Sequence, residues 1–244
     1  MKLMLVSDIH ANLTALDAIL DHAEKHYGND CPIVQLGDVI DYGMRPNETL
    51  AKIDELGARI IVNLAGNHER AVLGFDMDRF SSPRGADACR YTRSILEPGW
   101  FDYIEKAMAS TPFEMKLAER RVLFVHSDLS DPFWGGMPAS EMGRQVYRDY
   151  DYVICGHTHR PFLEEQFYPG DSPRSLHAKT KTVFINPGSV GQPRNHNPAS
   201  QYAVLDLGAG AVHFNAVPYD IEAETALFKG EVHPFYAERL KNGI

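Results

Sequence analysis

Several features that mark particular protein classes are scarce or missing in this chain of 244 residues. A membrane-spanning helix needs about 20 consecutive apolar residues, and no apolar run in the sequence approaches that length, so we expect no transmembrane segment. The three cysteines, Cys31, Cys89 and Cys155, lie far apart and match no zinc or redox spacing, so we interpret them as free thiols. The first residues lack the small-residue cleavage site of a signal peptide, which predicts a cytoplasmic protein.

Positive charge is also in short supply, because the formal net charge is −9 and no long basic cluster is present. Nonspecific binding to duplex nucleic acid depends on neutralising phosphates with Lys and Arg, so we exclude that function. A small phosphorylated substrate is not excluded, since bound divalent ions outweigh a diffuse surface charge that salt screens. The chain also has no internal repeat, low-complexity segment or linker, and we expect residues 1–244 to form a single domain.

Helical and strand patterns alternate over the first third of the chain. Apolar spacing predicts amphipathic helices over about 13–27, after the N-cap residue Asn12, and over about 46–56. Apolar strand candidates separate them, and this β-α-β-α-β order is typical of a parallel sheet. Further helices are predicted near 86–96 and 100–108. Residues 160–217 change to short strands, which predict a second, largely antiparallel sheet that packs on the first.

One strand design occurs five times. Ile33–Leu36 is an apolar strand candidate that ends at Gly37 and Asp38, and four other apolar runs likewise end at Asp, Asn or His. Open α/β folds bind ligands at the carboxyl ends of their strands, so these side chains are expected to converge on a metal site. The candidate ligands are Asp8, His10, Asp38, Asn67, His126, His157 and His159.

Seven candidate ligands are too many for one tetrahedral zinc ion, but they suit two ions that share a bridging carboxylate. Mixed imidazole and carboxylate ligands favour Mn, Fe, Ni, Co or Zn over Mg or Ca. Two divalent ions and two aspartates would leave the site with a charge of about +2, which suits a phosphate group. Two-metal hydrolases hold their ions about 3.5–4 Å apart, acidify a bound water and clamp an in-line displacement.

Two neighbours of the ligands are candidate catalytic residues. His68 follows Asn67 directly, and we interpret it as a general acid or a cationic stabiliser, with a surface or capping histidine as the alternative. Asp41 could accept from the other imidazole nitrogen and orient the ring, although a turn-forming or N-capping role fits its position nearly as well. The remaining histidines lack such a context and are expected outside the site, with a position near its rim as an alternative for His196: His22, His26, His177, His196, His213 and His233.

The motif series as a whole resembles the calcineurin-like metallophosphoesterases. The blocks are Asp8-x-His10, Gly37-Asp38-x-x-Asp41, Gly66-Asn67-His68-Glu69, His126 and Gly156-His157-x-His159. Residues 186–194 are also similar to a block of the small bacterial phosphodiesterase branch. The resemblance implies a four-layer α/β/β/α sandwich of two mixed sheets flanked by helices. It also implies one metal on Asp8, His10, Asp38 and His159, and another on Asp38, Asn67, His126 and His157.

The implied function is hydrolysis of phosphodiester or phosphoanhydride bonds in small molecules such as nucleotides, by in-line attack of a metal-bound hydroxide, with Mn as the expected metal. A phosphomonoesterase or protein phosphatase is an alternative, but Tyr42 and Gly43 stand where the protein phosphatases carry a phosphate-binding Arg. A third possibility is a non-catalytic scaffold that uses the same fold. It is disfavoured because a scaffold of this fold has an altered Asn-His block, whereas Asn67 and His68 are both present here.

Two further features bear on the substrate. Arg194 or Arg160 could replace the missing phosphate contact, or could be a surface residue. Loops at 75–83 and 127–140 offer apolar surface for a base or other large leaving group, although their aromatic residues could equally be packing residues: Phe75, Phe80, Phe133 and Trp134.

Overall fold

A computed structural model of the chain describes residues 1–169 and 180–244. The strands in this part are β1 (Lys2–Val6), β2 (Ile33–Gln35), β3 (Ile60–Asn63), β4 (Phe113–Leu117), β5 (Arg120–Val125), β6 (Tyr152–Cys155), β7 (Phe162–Tyr168), β8 (Thr180–Asn186), β9 (Ser200–Asp206) and β10 (Ala211–Val217). The helices are α1 (Leu13–Tyr27), α2 (Pro46–Leu56), α3 (Asn67–Val72), α4 (Pro83–Ile95), α5 (Pro98–Ala107), α6 (Ala139–Met142), α7 (Ile221–Thr225) and α8 (Phe235–Asn242). His177 lies outside the described residues.

The strands form two mixed five-stranded sheets, in the orders β10-β9-β1-β2-β3 and β4-β5-β6-β8-β7. The prediction that residues 160–217 make a sheet of their own was wrong. Strand β9 runs antiparallel to β1, with Met4 opposite Val204, so β9 and β10 extend the first sheet. Strand β8 pairs in parallel with β6 and extends the second. The pattern of a strand reveals that it is buried, but its partner is decided by contacts distant in sequence.

The two sheets pack face to face, as alternation along β1 shows. Leu3 and Leu5 belong to an apolar cluster that also contains Phe124 of β5 and other inward side chains of both sheets. Met4 and Val6 point the opposite way and pack with residues of α1 and α2. Successive side chains of a strand face opposite sides, so one strand supplies both cores.

The outer face of the second sheet is covered by α6 and the segment after it. Leu123 and Val153 of this sheet pack with Met142 and Tyr147. The layers are therefore helix, sheet, sheet and helix, and the predicted four-layer sandwich is confirmed.

Local sequence signals set most helix boundaries. The Asn12 side chain accepts from the Ala15 backbone N–H, as expected of an N-cap. Helices α4 and α5 begin earlier than predicted, at Pro83 and Pro98, because proline suits the first helical turn. Strand β4 was not predicted. The three cysteines are free and buried, as expected, and among the described residues no helix combines the length and apolar character needed to span a membrane.

Candidate metal centre

The structure brings all seven predicted ligand residues together at the carboxyl ends of β1, β2, β3, β5 and β6. All are buried except His157, which is partly exposed. Five adopt left-handed backbone conformations, with φ between 49° and 63°: Asp8, His10, Asp38, His157 and His159. Such angles are uncommon outside glycine and cost energy, and they concentrate at functional sites. The turns after β1, β2 and β6 therefore hold these five ligand residues in strained backbone conformations.

The first group of ligand atoms comes from Asp8, His10, Asp38 and His159, which lie within 4.8 Å of one another. The Nδ1 atoms of His10 and His159 donate to the carbonyl oxygens of Ile40 (3.3 Å) and Gln192 (2.6 Å). Their Nε2 atoms are 3.1 Å apart. With the protons on Nδ1, two nitrogen lone pairs face one another, an arrangement that a cation between them would stabilise. The buried Asp8 Oδ1, without a hydrogen-bond partner, lies 3.3 Å from His159 Nε2.

A second group adjoins the first and shares Asp38 with it. Atoms of Asp38, His126 and His157 lie within 4.8 Å of one another. The Asn67 Oδ1 atom lies 3.0 Å from both His126 Nε2 and His157 Nδ1. The Asp38 Oδ2 atom is 3.3 Å from His126 Nε2 and 3.9 Å from His10 Nε2. Asp38 is therefore the one carboxylate that belongs to both groups of candidate ligand atoms in the described part of the chain.

The protonation of the histidines agrees with this chemistry in three cases of four. Burial lowers the pKa of His10 and His159 well below the usual value, and that of His157 to about 3. These rings are therefore neutral, as metal ligands must be. Burial also acts to lower the pKa of His126, but the charge of Asp38 has the larger effect. The pKa of His126 is therefore raised to about 9. A metal ion must displace that proton, so metal affinity should increase with pH.

His68 and Asp41 form a pair beside the two groups. The Nδ1 atom of His68 lies 2.6 Å from Asp41 Oδ2, and its backbone N–H donates to Asp38 Oδ1 at 2.9 Å. The other Asp41 oxygen accepts from Thr92 Oγ1 (3.0 Å) and the Tyr42 backbone N–H (2.7 Å). Burial alone would lower the pKa of His68, but the charges of Asp38 and Asp41 have the larger effect. The net result is a pKa above the usual value for histidine. The catalytic roles of the pair stay a prediction.

Glu69 organises the backbone of the site, a role that the sequence analysis missed. Its buried carboxylate accepts from the backbone N–H groups of Gly66 (2.7 Å), Asp38 (2.8 Å), Val39 (2.7 Å) and Ile40 (3.1 Å). One side chain thus ties the turn that carries Asp38 to the turn that precedes Asn67. A glutamate in the first turn of a helix gives no hint of such long-range acceptors.

The loop at residues 186–194 joins the ligand turns of the two sheets. The backbone carbonyl of Asp8 accepts from Ser189 Oγ (2.7 Å) and the Gly191 N–H (3.0 Å). The Asn186 amide donates to the Gly156 carbonyl at 2.7 Å, next to the turn of His157. A Cβ atom on Gly191 would lie 1.7 Å from a backbone oxygen, so only glycine allows this approach.

The candidate metal ligands open into a cavity of about 290 Å³, which we call the metal cavity. Of the predicted aromatic residues, Phe80 and Trp134 line it, whereas Phe75 and Phe133 line a different cavity. Arg194 also lines the metal cavity, but Arg160 is exposed and donates to the Arg194 carbonyl oxygen. The other lining residues are Asp38, Tyr42, Asn67, His68, Arg79, Ser81, His157 and His159.

Comparison with known proteins agrees with this geometry. The family model of the calcineurin-like phosphoesterase superfamily domain matches residues 1–210. The chain belongs to this superfamily. The phosphodiesterase YfcE of Escherichia coli K12 is 26% identical over 215 residues, covering 84% of this chain and 88% of YfcE. An uncharacterized protein of Methanocaldococcus jannaschii is 29% identical over 252 residues, 96% of this chain and 95% of the relative.

A solved structure extends the similarity to the whole fold. The metallophosphoesterase from Sphaerobacter thermophilus superposes with a TM-score of 0.77 and 28% identity, and the match covers 100% of both chains. As a member of the calcineurin-like superfamily, the protein is a metal-dependent phosphoesterase. Its buried Asp and His groups could bind the metal.

Proposed function

We propose that the protein hydrolyses phosphodiester or phosphoanhydride bonds of small molecules such as nucleotides, and that it uses two metal ions. The observation that carries this proposal is Asp38, which belongs to both groups of buried ligand atoms. The similarity to the phosphodiesterase YfcE supports the choice of bond. The cytoplasmic location and the organisation of residues 1–244 as one domain stay predictions from the sequence.

The proposed ligands follow the two groups. One ion would be held by Asp8, His10, Asp38 and His159, and the other by Asp38, Asn67, His126 and His157. The mixed nitrogen and oxygen donors suit divalent transition metals; Mn is the proposed ion, with Fe, Zn, Ni or Co as alternatives. When bound, such ions acidify a water molecule and neutralise charge on the phosphoryl group.

His68 is placed to donate a proton to the oxygen of the leaving group. The hydrogen bond from Nδ1 to Asp41 leaves Nε2 as the nitrogen that can donate toward the cavity, and the raised pKa of His68 favours the protonated ring. Asp41 is itself held by Thr92 and by the backbone of Tyr42. His68 is therefore proposed as the general acid, and Asp41 as the residue that orients it.

The cavity wall beside His68 suits a large leaving group. The rings of Phe80 and Trp134 contact each other edge to face at 5.2 Å, and Trp134 lies 6.5 Å from the His68 ring. Tyr42, which stands where protein phosphatases carry an arginine, also lines this wall. Aromatic surface next to the proton donor favours an ester whose leaving group contains a ring.

The test compares a diester with its matching monoester. With Mn²⁺, kcat/KM for bis-nitrophenyl phosphate should exceed that for nitrophenyl phosphate, and a chelator should stop both reactions. Asp38→Asn, prepared in parallel, controls for contaminating phosphatases and should be inactive on both substrates. A clear preference for the monoester would instead identify a phosphomonoesterase. No turnover of either substrate by the fully metal-loaded protein would favour the scaffold.

A further inference from the structure

Arg194 is a cation on the wall of the metal cavity that the chemistry above does not use. Its Nη2 atom donates to Gln192 Oε1 at 3.1 Å, and its backbone N–H donates to the His159 carbonyl at 3.2 Å. Its Nε atom is buried and has no hydrogen-bond partner. Within residues 1–169 and 180–244, Arg194 forms no ion pair with an Asp or Glu side chain, so its Nε donor is left without an acceptor and its charge is opposed only at longer range, as by Asp8.

A second guanidinium stands behind the first. Arg239, on α8, donates from Nη1 to the same Gln192 Oε1 at 3.0 Å, so two cations share one neutral acceptor. Its remaining contacts are the Ile244 carbonyl oxygen, which accepts from Nε, and the Phe235 ring, 4.8 Å away. Burial and the nearby Arg194 charge lower the pKa of Arg239 to about 10. It too lacks an Asp or Glu partner in the described part of the chain.

The two guanidinium groups donate to one neutral acceptor, and like charges placed in this way repel each other where partial burial reduces screening by water. Arg79 shows the usual solution on the same cavity, because Asp131 neutralises it. The rigid fork of arginine donors is suited to phosphate, so Arg194 and Arg239 have the properties of an anion site completed by a ligand.

The charge balance indicates which anion fits. Two divalent ions with two aspartates carry a charge of about +2, and the two guanidinium groups increase it. A simple diester brings only one negative charge, which the metal ions would take up, and it supplies none for Arg194. A substrate with a second phosphate beside the scissile one supplies the missing negative charge.

We propose that Arg194, positioned through Gln192 by Arg239, binds a second phosphate group of the substrate next to the group held by the metal ions. The preferred substrates would then be phosphoanhydrides or nucleotides with adjacent phosphates. The inference rests on the proposed function, since it assumes that the scissile phosphate occupies the metal site.

Calorimetry with the Mn²⁺-loaded protein tests this without turnover. The probes are methylenediphosphonate and methylphosphonate, which differ by one phosphonate group, titrated with the free Mn²⁺ concentration matched in both solutions. The wild-type protein should bind the diphosphonate more tightly. Loss of a charge-assisted contact in Arg194→Gln should weaken diphosphonate binding by roughly 10- to 100-fold, with a much smaller effect on methylphosphonate.

Gln192→Glu is a more specific test. It replaces only the amide NH2 group by an oxygen, on the side chain that accepts from both guanidinium groups. The new carboxylate would neutralise Arg194 and Arg239 internally. Diphosphonate affinity should therefore fall by roughly tenfold or more while thermal stability does not decrease. Arg239→Lys should retain more affinity than Arg239→Gln, since it keeps the charge behind Gln192. Arg90→Gln is the matched control: Arg90 is exposed, pairs with Asp87 and does not line the cavity, and its loss should change neither affinity.

Three results would overturn the inference. They are no preference of the wild-type protein for the diphosphonate, equal losses for both probes in Arg194→Gln, and unchanged affinities in the Arg194 and Gln192 variants. Elemental analysis must show that the variants keep their metal. Turnover of bis-nitrophenyl phosphate by the wild-type protein separates the two levels: without turnover the proposed function fails, and with turnover but no selective binding only this inference fails.

Discussion

Glu69 offers a demanding test of how the site is held together. Replacing it by glutamine keeps the size and shape of the side chain but turns one oxygen into an NH2 group. Each carboxylate oxygen now accepts from two backbone N–H groups, those of Asp38 and Gly66 on Oε2 and those of Val39 and Ile40 on Oε1. In either orientation of the amide, two buried N–H groups would face a donor.

The expected cost follows from those two groups. Each buried donor left without an acceptor costs about 1–3 kcal/mol, which gives roughly 2–6 kcal/mol for the pair. A neutral amide also escapes the burial that raises the pKa of the Glu69 carboxyl, and this gain offsets part of the loss. We therefore expect Glu69→Gln to lower the free energy of unfolding by about 2–4 kcal/mol.

Urea denaturation followed by circular dichroism measures this change. The samples of wild-type protein and of Glu69→Gln should both contain a chelator, because bound metal would stabilise the folded state. The control is Glu48→Gln, an exposed residue in the first turn of α2, where the loss of a favourable helix-dipole contact costs below about 1 kcal/mol. If Glu69→Gln is as stable as that control, the four hydrogen bonds do not hold the site as we describe.

Three further predictions concern chemistry. His68→Ala should keep its metal but lose roughly 10²–10⁴ in kcat, with a smaller loss for nitrophenolate than for alkoxide leaving groups; equal losses would leave His68 only an electrostatic role. In Asp41→Asn the pKa of His68 should fall, because the ring loses its carboxylate partner. The decrease of kcat that follows deprotonation of His68 should then occur at lower pH. A pH profile of kcat identical to that of the wild-type protein would contradict the pairing of His68 with Asp41. Trp134→Ala should raise KM for an aryl ester more than for a methyl ester, whereas Phe75→Ala, on the other cavity, should affect neither.

Much of the site could be predicted because its signals are local. An apolar run that stops at Asp, Asn or His identifies both a buried strand and the side chain at its end, and all seven such residues converge. The N-cap Asn12 and the first two helices were likewise set by residues close in sequence.

The rest depends on tertiary contacts that no local pattern encodes. The Nε2 atoms of His10 and His159 meet across 149 residues, and the backbone acceptors that orient their rings lie on other turns. The sequence left Arg194 and Arg160 equivalent, and only the fold places Arg194 on the cavity. For the same reason β9 and β10 were assigned to the wrong sheet.

The most direct test of the account is the number of metal ions per chain. Wild-type protein reconstituted with Mn²⁺ and freed of excess ion should contain about two Mn²⁺ by elemental analysis, since Asp38 is proposed to bridge two sites. Asp38→Asn should lose affinity at both sites together. Saturation of the folded wild-type protein at one ion per chain would contradict the two-metal centre on which the proposed chemistry depends.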